Sequence, residues 1–303
     1  MGIVLRASTG RKWIPLILGF AMAFAIGCGK ASSQPRDDLD APVARFRVRY
    51  FDPNEAGTVR GRVVWQGEIP NITPFLIRAN PIGGDAVHKR QFQPNPNAPR
   101  IDQQHHGVAN AVVFLRGVDA TKAKAWDLPP VHVEMKNLHL HVLQGESDSS
   151  YGFVRRADPI EMVSRDVFFH SLHLDGANYL SLAFPDLDKP LSRPLKNKGL
   201  VELTSSAGYY WMRAYLFVDD HPYYTRTDSE GRFGLDQVPP GNYEVVCWMP
   251  SWLEARHERD PESGVLTRLF FRPPVTWSQK VKLHAKESKE IQFGPALRDF
   301  QRP

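Results

Sequence analysis

Apolar residues along this chain fall mostly in short alternating runs bounded by Gly, Pro, Asn or Asp, with little 3.6-residue periodicity. A period of two sends successive side chains to opposite faces, so each run reads as a half-buried strand. Eight such runs precede residue 219: 58–65 (TVRGRVVW), 111–115 (AVVFL), 131–135, 139–143, 161–164, 179–184, 200–203 and 212–218. Eight strands are enough to close a sandwich. Between the first two runs lies ITPFLIRANPIGGDAVHKRQFQPNPNAPRIDQQHH. It is too long and too rich in Pro and Asn for a hairpin loop, and reads as an extended excursion over the surface.

From Asp219 onward turn signals dominate. Residues 223–227 read as a strand, DSEG at 228–231 as a tight turn, 232–235 as the partner strand, and VPPG at 238–241 as a second turn before 242–248. The Pro pair fixes φ, and Gly241 is expected to supply the freedom the reversal needs. Runs at 279–283 and 290–293 complete a smaller sandwich around the excursion SWLEARHERDPESGVLTRLFFRPP. With 303 residues the chain can bury two cores. The expected organisation is all-β, with one domain at 57–218 followed by a second at 219–296.

The N-terminus carries an address. Arg6, Arg11 and Lys12 precede WIPLILGFAMAFAIG at 13–27, which is too short and too Gly-interrupted to span a membrane comfortably but suits the apolar region of an export signal. It ends in Ala25-Ile26-Gly27-Cys28, which resembles a bacterial lipobox with Ala25 in place of the usual Leu. The resemblance implies a signal peptide at 1–28, a diacylglycerol-bearing Cys28, a polar tether at 29–56, and a lipid anchor facing the periplasm or the cell exterior. An ordinary cleaved signal with an incidental Cys is the alternative. The chain has 2 Cys, so a lipidated Cys28 leaves Cys247 unpaired and excludes an intramolecular disulfide. Alternation through Tyr243, Val245 and Cys247 makes that thiol a buried strand residue. A net charge of +5 with basic residues scattered among acidic ones gives no support to nucleic-acid binding.

The segment TRTDSEGRFGLDQVPPGNYEVVCW resembles the carboxypeptidase regulatory-like, or transthyretin-like, family, with its T-D-x-x-G-x-F-x-L-x-x-V-P-P-G-x-Y-x-V pattern. The resemblance implies a prealbumin-like sandwich that serves as a noncatalytic folding support, spacer or adhesive unit, with sugar binding in related carbohydrate-binding-like folds. No HExxH is present, so peptidase activity is not implied. Residues 57–218 resemble the plastocyanin-like cupredoxins that precede such modules in bacterial envelope proteins, such as those of planctomycetes. The resemblance rests on NAVVFL (110–115), SRDVFFHSLHL (164–174) and VELTSSAGYYWMRAYLFV (201–218). It implies a Greek-key sandwich in which His170 takes the place of the first copper ligand. The Cys, His and Met of the second ligand loop correspond to Ser206, Tyr209 and Met212. A blue-copper centre needs a soft thiolate and a second imidazole. Ser206 and Tyr209 supply neither, so the ancestral copper site is largely lost.

Two kinds of replacement chemistry are open. Neutral imidazoles from His170, His173, His105 and His106 could rebuild a copper or zinc site if they converge. His139 and His141 also share one strand face. The rings of Tyr209, Tyr210 and Trp211 could stack on a glycan, or form core and domain seam. Asp219-Asp220 reads as a solvated turn, and His221 as a hydrogen-bonded hinge between domains. No phosphate loop, nucleophile elbow or dinucleotide fingerprint occurs. The expected function is a noncatalytic envelope lipoprotein acting as a binding or scaffold module without a cofactor. A periplasmic copper or zinc protein and a carbohydrate-binding module are the alternatives. The partners are the membrane through the anchor and an envelope protein or glycan.

Overall fold

The computed structural model describes residues 50–78, 90–262, 264 and 266–301; the expected export signal, Cys28 and most of the expected tether lie outside them. Residues from Val48 onward belong to one compact unit. Its chain runs through three stretches. The first holds β1 (Gly57–Val63), an arm of β2 (Phe75–Arg78) and β3 (Arg90–Gln93), the short pair β4 (Arg100–Ile101) and β5 (Val108–Ala109), and β6 (Val112–Arg116). The second holds β7 (Val131–Lys136), β8 (His139–Gln144), β9 (Ser147–Ser149), β10 (Tyr151–Arg155), β11 (Pro159–Ser164), β12 (His170–Gly176), β13 (Leu180–Phe184), β14 (Leu191–Pro194), β15 (Gly199–Ser205) and β16 (Arg213–Asp219). The third holds β17 (Tyr224–Arg226), β18 (Arg232–Val238), β19 (Gly241–Met249), a second arm of β20 (Glu254–Arg259) and β21 (Leu266–Phe271), then β22 (Val275–Leu283), β23 (Ser288–Phe293) and the one-turn α1 (Leu297–Phe300).

The first and third stretches build one sandwich together. β1 pairs antiparallel with β18 and parallel with β23, and β6 lies between β17 and β19 in a sheet ordered β17-β6-β19-β22. Val59, Val63, Leu115, Leu235, Val245 and Cys247 share its core. The second stretch forms its own sandwich of two five-stranded sheets, β10-β16-β15-β12-β13 and β14-β11-β7-β8-β9. The expected succession of 57–218 and 219–296 is therefore corrected: the sandwich at 131–219 is inserted between β6 and β17 of the other. Alternation identifies β1 and β6 as strands, but hydrogen-bonding partners are chosen by tertiary contacts far away in sequence.

The two sandwiches meet through aromatic side chains. In β16, Ala214, Leu216 and Val218 face the inserted core, whereas Tyr215 and Phe217 face outward onto Val112, Tyr224 and Trp248 of the other sandwich. The Trp248 ring stands edge-on to Phe217 and Tyr215, with centroids 5.1 Å from each, and to Tyr151 at 6.0 Å. Such tilted and edge-on pairs suit the ring quadrupoles. A strand covered on both faces reads as a continuous apolar run rather than an alternating one, which accounts for AYLFV in β16 and VVFL in β6.

Both turns of the TRTDSEG…VPPG segment form, one of them differently from expectation. At the first, Asp228 accepts the backbone N–H groups of Glu230 and Arg232. Gly231 there has φ 77°, and a Cβ on it would lie 2.2 Å from the Val63 carbonyl oxygen. Before the second, Gln237 in β18 carries a positive φ of 56° where the register against β1 shifts. Gly241 serves close approach instead, because the Tyr243 hydroxyl, donating to the Pro239 carbonyl at 2.7 Å, would come within 2.6 Å of an added Cβ.

Candidate metal centre

The β7–β8 hairpin closes through Asn137 and Leu138, with φ of 52° and 61°. Two positive φ values give a two-residue loop the twist its strands need, but a Leu in that region costs about 1–2 kcal/mol. The surroundings compensate. Asp166 accepts the N–H of Asn137 through Oδ1 at 2.8 Å and that of Leu138 through Oδ2 at 3.1 Å. On the other side, the Trp211 indole N–H donates to the Leu138 carbonyl at 2.9 Å.

His170 is fully buried at the start of β12, and its Nε2–H donates to Asp166 Oδ2 at 2.9 Å. Its ring packs at 5.2 Å from Phe168 and 5.4 Å from Tyr209. Tyr209 and Met212, each 1% exposed, lie in the same core, and a backbone hydrogen bond from the Met212 N–H to the Tyr209 carbonyl closes the turn between them. Burial, and secondarily the Asp166 charge, raise the pKa of the Tyr209 phenol. Of the four positions expected to be ligand-equivalent, His170 and Tyr209 are in ring contact and Met212 lies in the same core as Tyr209. Ser206, just beyond β15, is exposed instead, with its N–H donating to the Ser171 carbonyl at 2.8 Å.

One ring atom is left over: His170 Nδ1 is buried without a hydrogen-bond partner. Copper or zinc would need further donors beside it. The Tyr209 phenol ring beside it and Met212 in the same core supply no thiolate and no second imidazole, so this donor set does not fit a blue-copper or a tetrahedral zinc centre. The other proposed ligands are corrected by their positions. His173 alternates with His170 along β12 and faces away from that core, its ring 4.9 Å from Tyr179. His105 and His106 sit on the β4–β5 turn of the other sandwich, where the His106 carbonyl accepts the Trp65 N–H and His105 pairs with Asp102. His139 contacts the Asn137 carbonyl and Gln93, and His141 contacts Asp148. Among the described residues no three His, Cys, Asp or Glu side chains form a metal-holding group.

The glycan-stacking expectation is corrected in the same way. Tyr209 and Trp211, at 1% and 6% exposure, present no free ring face. Tyr210 is partly buried between Trp211 and Phe75, the latter brought over by the β2–β3 arm, with centroids at 5.1 and 5.7 Å. The second arm, β20–β21, also contacts the inserted sandwich: Arg213 of β16 donates to the Leu269 carbonyl at 2.7 Å and lies over the Phe271 ring.

His221 joins β16 to β17 as a hydrogen-bonded link. Its Nε2 lies 3.3 Å from Asp219, its ring stacks on Tyr224, and burial lowers its pKa. Burial acts to raise the Asp219 pKa, but His221, the Tyr224 hydroxyl at 2.8 Å, the Asp220 N–H and Lys198 together hold it below the usual carboxylate range. Asp219 and Asp220 are ion-paired with Lys198, and Asp220 also with Arg156.

The sequence singles out His170, Tyr209 and Met212 as positions corresponding to copper ligands, but not Asp166, Asn137 and Leu138, which the structure joins to His170. The Asp four residues before the His was visible in SRDVFFH, whereas an Asn-Leu turn carries none of the Gly that usually marks such a loop.

No family model matches the chain, and none of the curated proteins is similar to it. Among solved structures it is similar to the Cu(I) form of an amicyanin point mutant, at 14% identity over 35% of this chain and 97% of that one, TM-score 0.24. A second Cu(I) amicyanin mutant is similar at 15% identity over 35% and 97%, TM-score 0.24. A third, in the reduced state, is similar at 12% identity over 35% and 98%, TM-score 0.24. The all-β sandwich assignment rests on this chain's own sheets.

Proposed function

We propose that this chain is an exported, lipid-anchored envelope protein that works as a noncatalytic binding or scaffold module. In this reading a cupredoxin-type sandwich at 131–219 is set into a transthyretin-like sandwich, Cys28 carries the lipid, and the ancestral copper loop has become structural. The observation that carries the reading is the His170–Asp166 hydrogen bond of 2.9 Å. An imidazole that once faced a metal with thiolate and imidazole companions now holds a carboxylate that holds a hairpin turn. Exposed Ser206 and buried Tyr209 leave no thiolate and no second imidazole beside it.

Metal content and titration of the full-length protein with Cu(II) and Zn(II) test the reading. The expected result is no stoichiometric tight binding. One equivalent bound tightly, and lost in His170→Ala, would replace it with a metal-handling protein. Metabolic labelling with a radiolabelled fatty acid tests the anchor: label is expected on the wild type and absent from Cys28→Ala. Unlabelled wild-type protein would refute the lipid anchor.

A further inference from the structure

At one edge of the seam, where the β4–β5 pair meets β8, β9 and β10, the two sandwiches leave a cleft of about 270 Å³. Arg100, His141, Asp148 and Tyr151 are among its walls. Asp148 is the one carboxylate in that lining, and His141 Nδ1 already engages it at 2.9 Å. Arg100 is exposed and has no ion pair among the described residues.

Behind the wall stands a second guanidinium. Arg226 of β17 reaches across the seam, where Nη1 donates to Ser149 Oγ and, at 3.1 Å, to the Tyr151 carbonyl, and Nη2 donates to Ser147 Oγ at 2.7 Å. The group also lies over the Phe153 ring, 5.7 Å from its centroid. All of these partners are neutral, and no carboxylate pairs with Arg226 among the described residues. Burial lowers the Arg226 pKa, the cost of holding a cation away from water without a counter-charge. Both arginines act on the Tyr151 phenol, opposing the upward shift that its burial causes. A concave site with two uncompensated guanidinium groups and one engaged acid carries a positive potential focused by its low-dielectric walls.

We propose that this cleft binds a small oxyanion, a carboxylate or a phosphate, with Arg100 as its principal ligand and Arg226 as a fixed positive charge behind it. Arg100 suits the task because its planar fork matches either group with two parallel hydrogen bonds. The cleft is small for a ligand site, which restricts the ligand to about the size of a monosaccharide acid or less. The site is independent of the fate of the copper loop, since His170 takes no part in it.

The test is calorimetric titration of the full-length protein in detergent micelles with inorganic phosphate and, separately, with D-glucuronate. In parallel the guanidinium Nε–H resonances are followed by NMR on arginine-labelled protein. Saturable binding of at least one probe is expected, with the Arg100 resonance shifted, and weakened about tenfold or more in Arg100→Gln. Arg100→Lys keeps the charge but loses the fork, and is expected to bind between the two. Phosphate alone would assign a phosphoryl ligand, and glucuronate alone a carboxylate. Because Arg100 is exposed, its variants retain the fold, which circular dichroism checks. Absence of saturation by either probe, or equal binding by Arg100→Gln, would overturn the proposal.

Discussion

Asp166 accepts the Nε2–H of His170 at 2.9 Å while its two oxygens also take the backbone N–H groups of Asn137 and Leu138. One carboxylate therefore joins the start of β12 to the tip of the β7–β8 hairpin. Replacing it strands three donors: the His170 Nε2–H in the buried core and the two backbone N–H groups of the partly exposed hairpin tip.

Asp166→Ala is accordingly expected to destabilise the protein by roughly 1–3 kcal/mol, the cost of leaving the one buried donor, His170 Nε2–H, unpaired, with a smaller loss at the partly exposed turn. Chemical denaturation measures it. Asp166→Asn, which keeps acceptor capacity on one oxygen only, should fall between Ala and wild type. A loss under about 0.5 kcal/mol for Asp166→Ala, the size of an ordinary surface change, would show that the turn holds itself.

The nested topology predicts how fragments behave. A fragment of residues 219–303 lacks β1 and β6, so the sheet partners of β18, β23, β17 and β19 are missing. It is expected to be unfolded by amide-proton NMR dispersion. A fragment that folded cooperatively alone would restore the end-to-end domain arrangement.

Trp248→Ala removes the ring that Tyr151, Tyr215 and Phe217 pack against at the seam. The expected cost is about 3–5 kcal/mol, as for other buried aromatic truncations. Limited proteolysis should then release the 131–219 body more readily than in the wild type. Equal stability and an unchanged cleavage pattern would mean that the seam contributes little.

His221 gives a pH dependence with a definite sign. Its folded pKa lies below the ordinary value of 6.5 because of burial, so the unfolded chain binds more protons as pH falls below that value. Stability is therefore expected to be level above about pH 6.5 and to decline on acidification through the folded pKa. Asp219, held below its ordinary value of 3.8, contributes stability that is lost only at still lower pH. Thermal melts across this range should show a shallower decline between about pH 6.5 and 5 in His221→Asn; an identical profile would exclude His221 as the source.

Cys247 is fully buried on β19, and burial pushes its thiol pKa up. A thiol reagent should modify it at the rate of global unfolding, accelerating in step with denaturant. Rapid modification under native conditions would contradict the packed core around it.

Alternation in the sequence determined that this chain is built of strands, and it located β1, β6, β7, β8 and β19 to within a few residues. A period of two depends only on neighbours along the chain, and so do turn chemistry at Asp228–Gly231 and the burial of Cys247. Tertiary structure alone decided which strands pair, because hydrogen-bonding partners such as Val59 and Leu235 are remote in sequence and each would satisfy many others equally well. It also decided the site. His170, Tyr209 and Met212 could be singled out in the sequence, yet the partner of His170 is a carboxylate four residues before it. The role of that carboxylate exists only because a hairpin tip from elsewhere folds over it. The faces of β12 separate His173 from His170, and the insertion puts His105 and His106 in the other sandwich. Imidazoles that look close in composition are kept apart by register and topology, which no local pattern encodes.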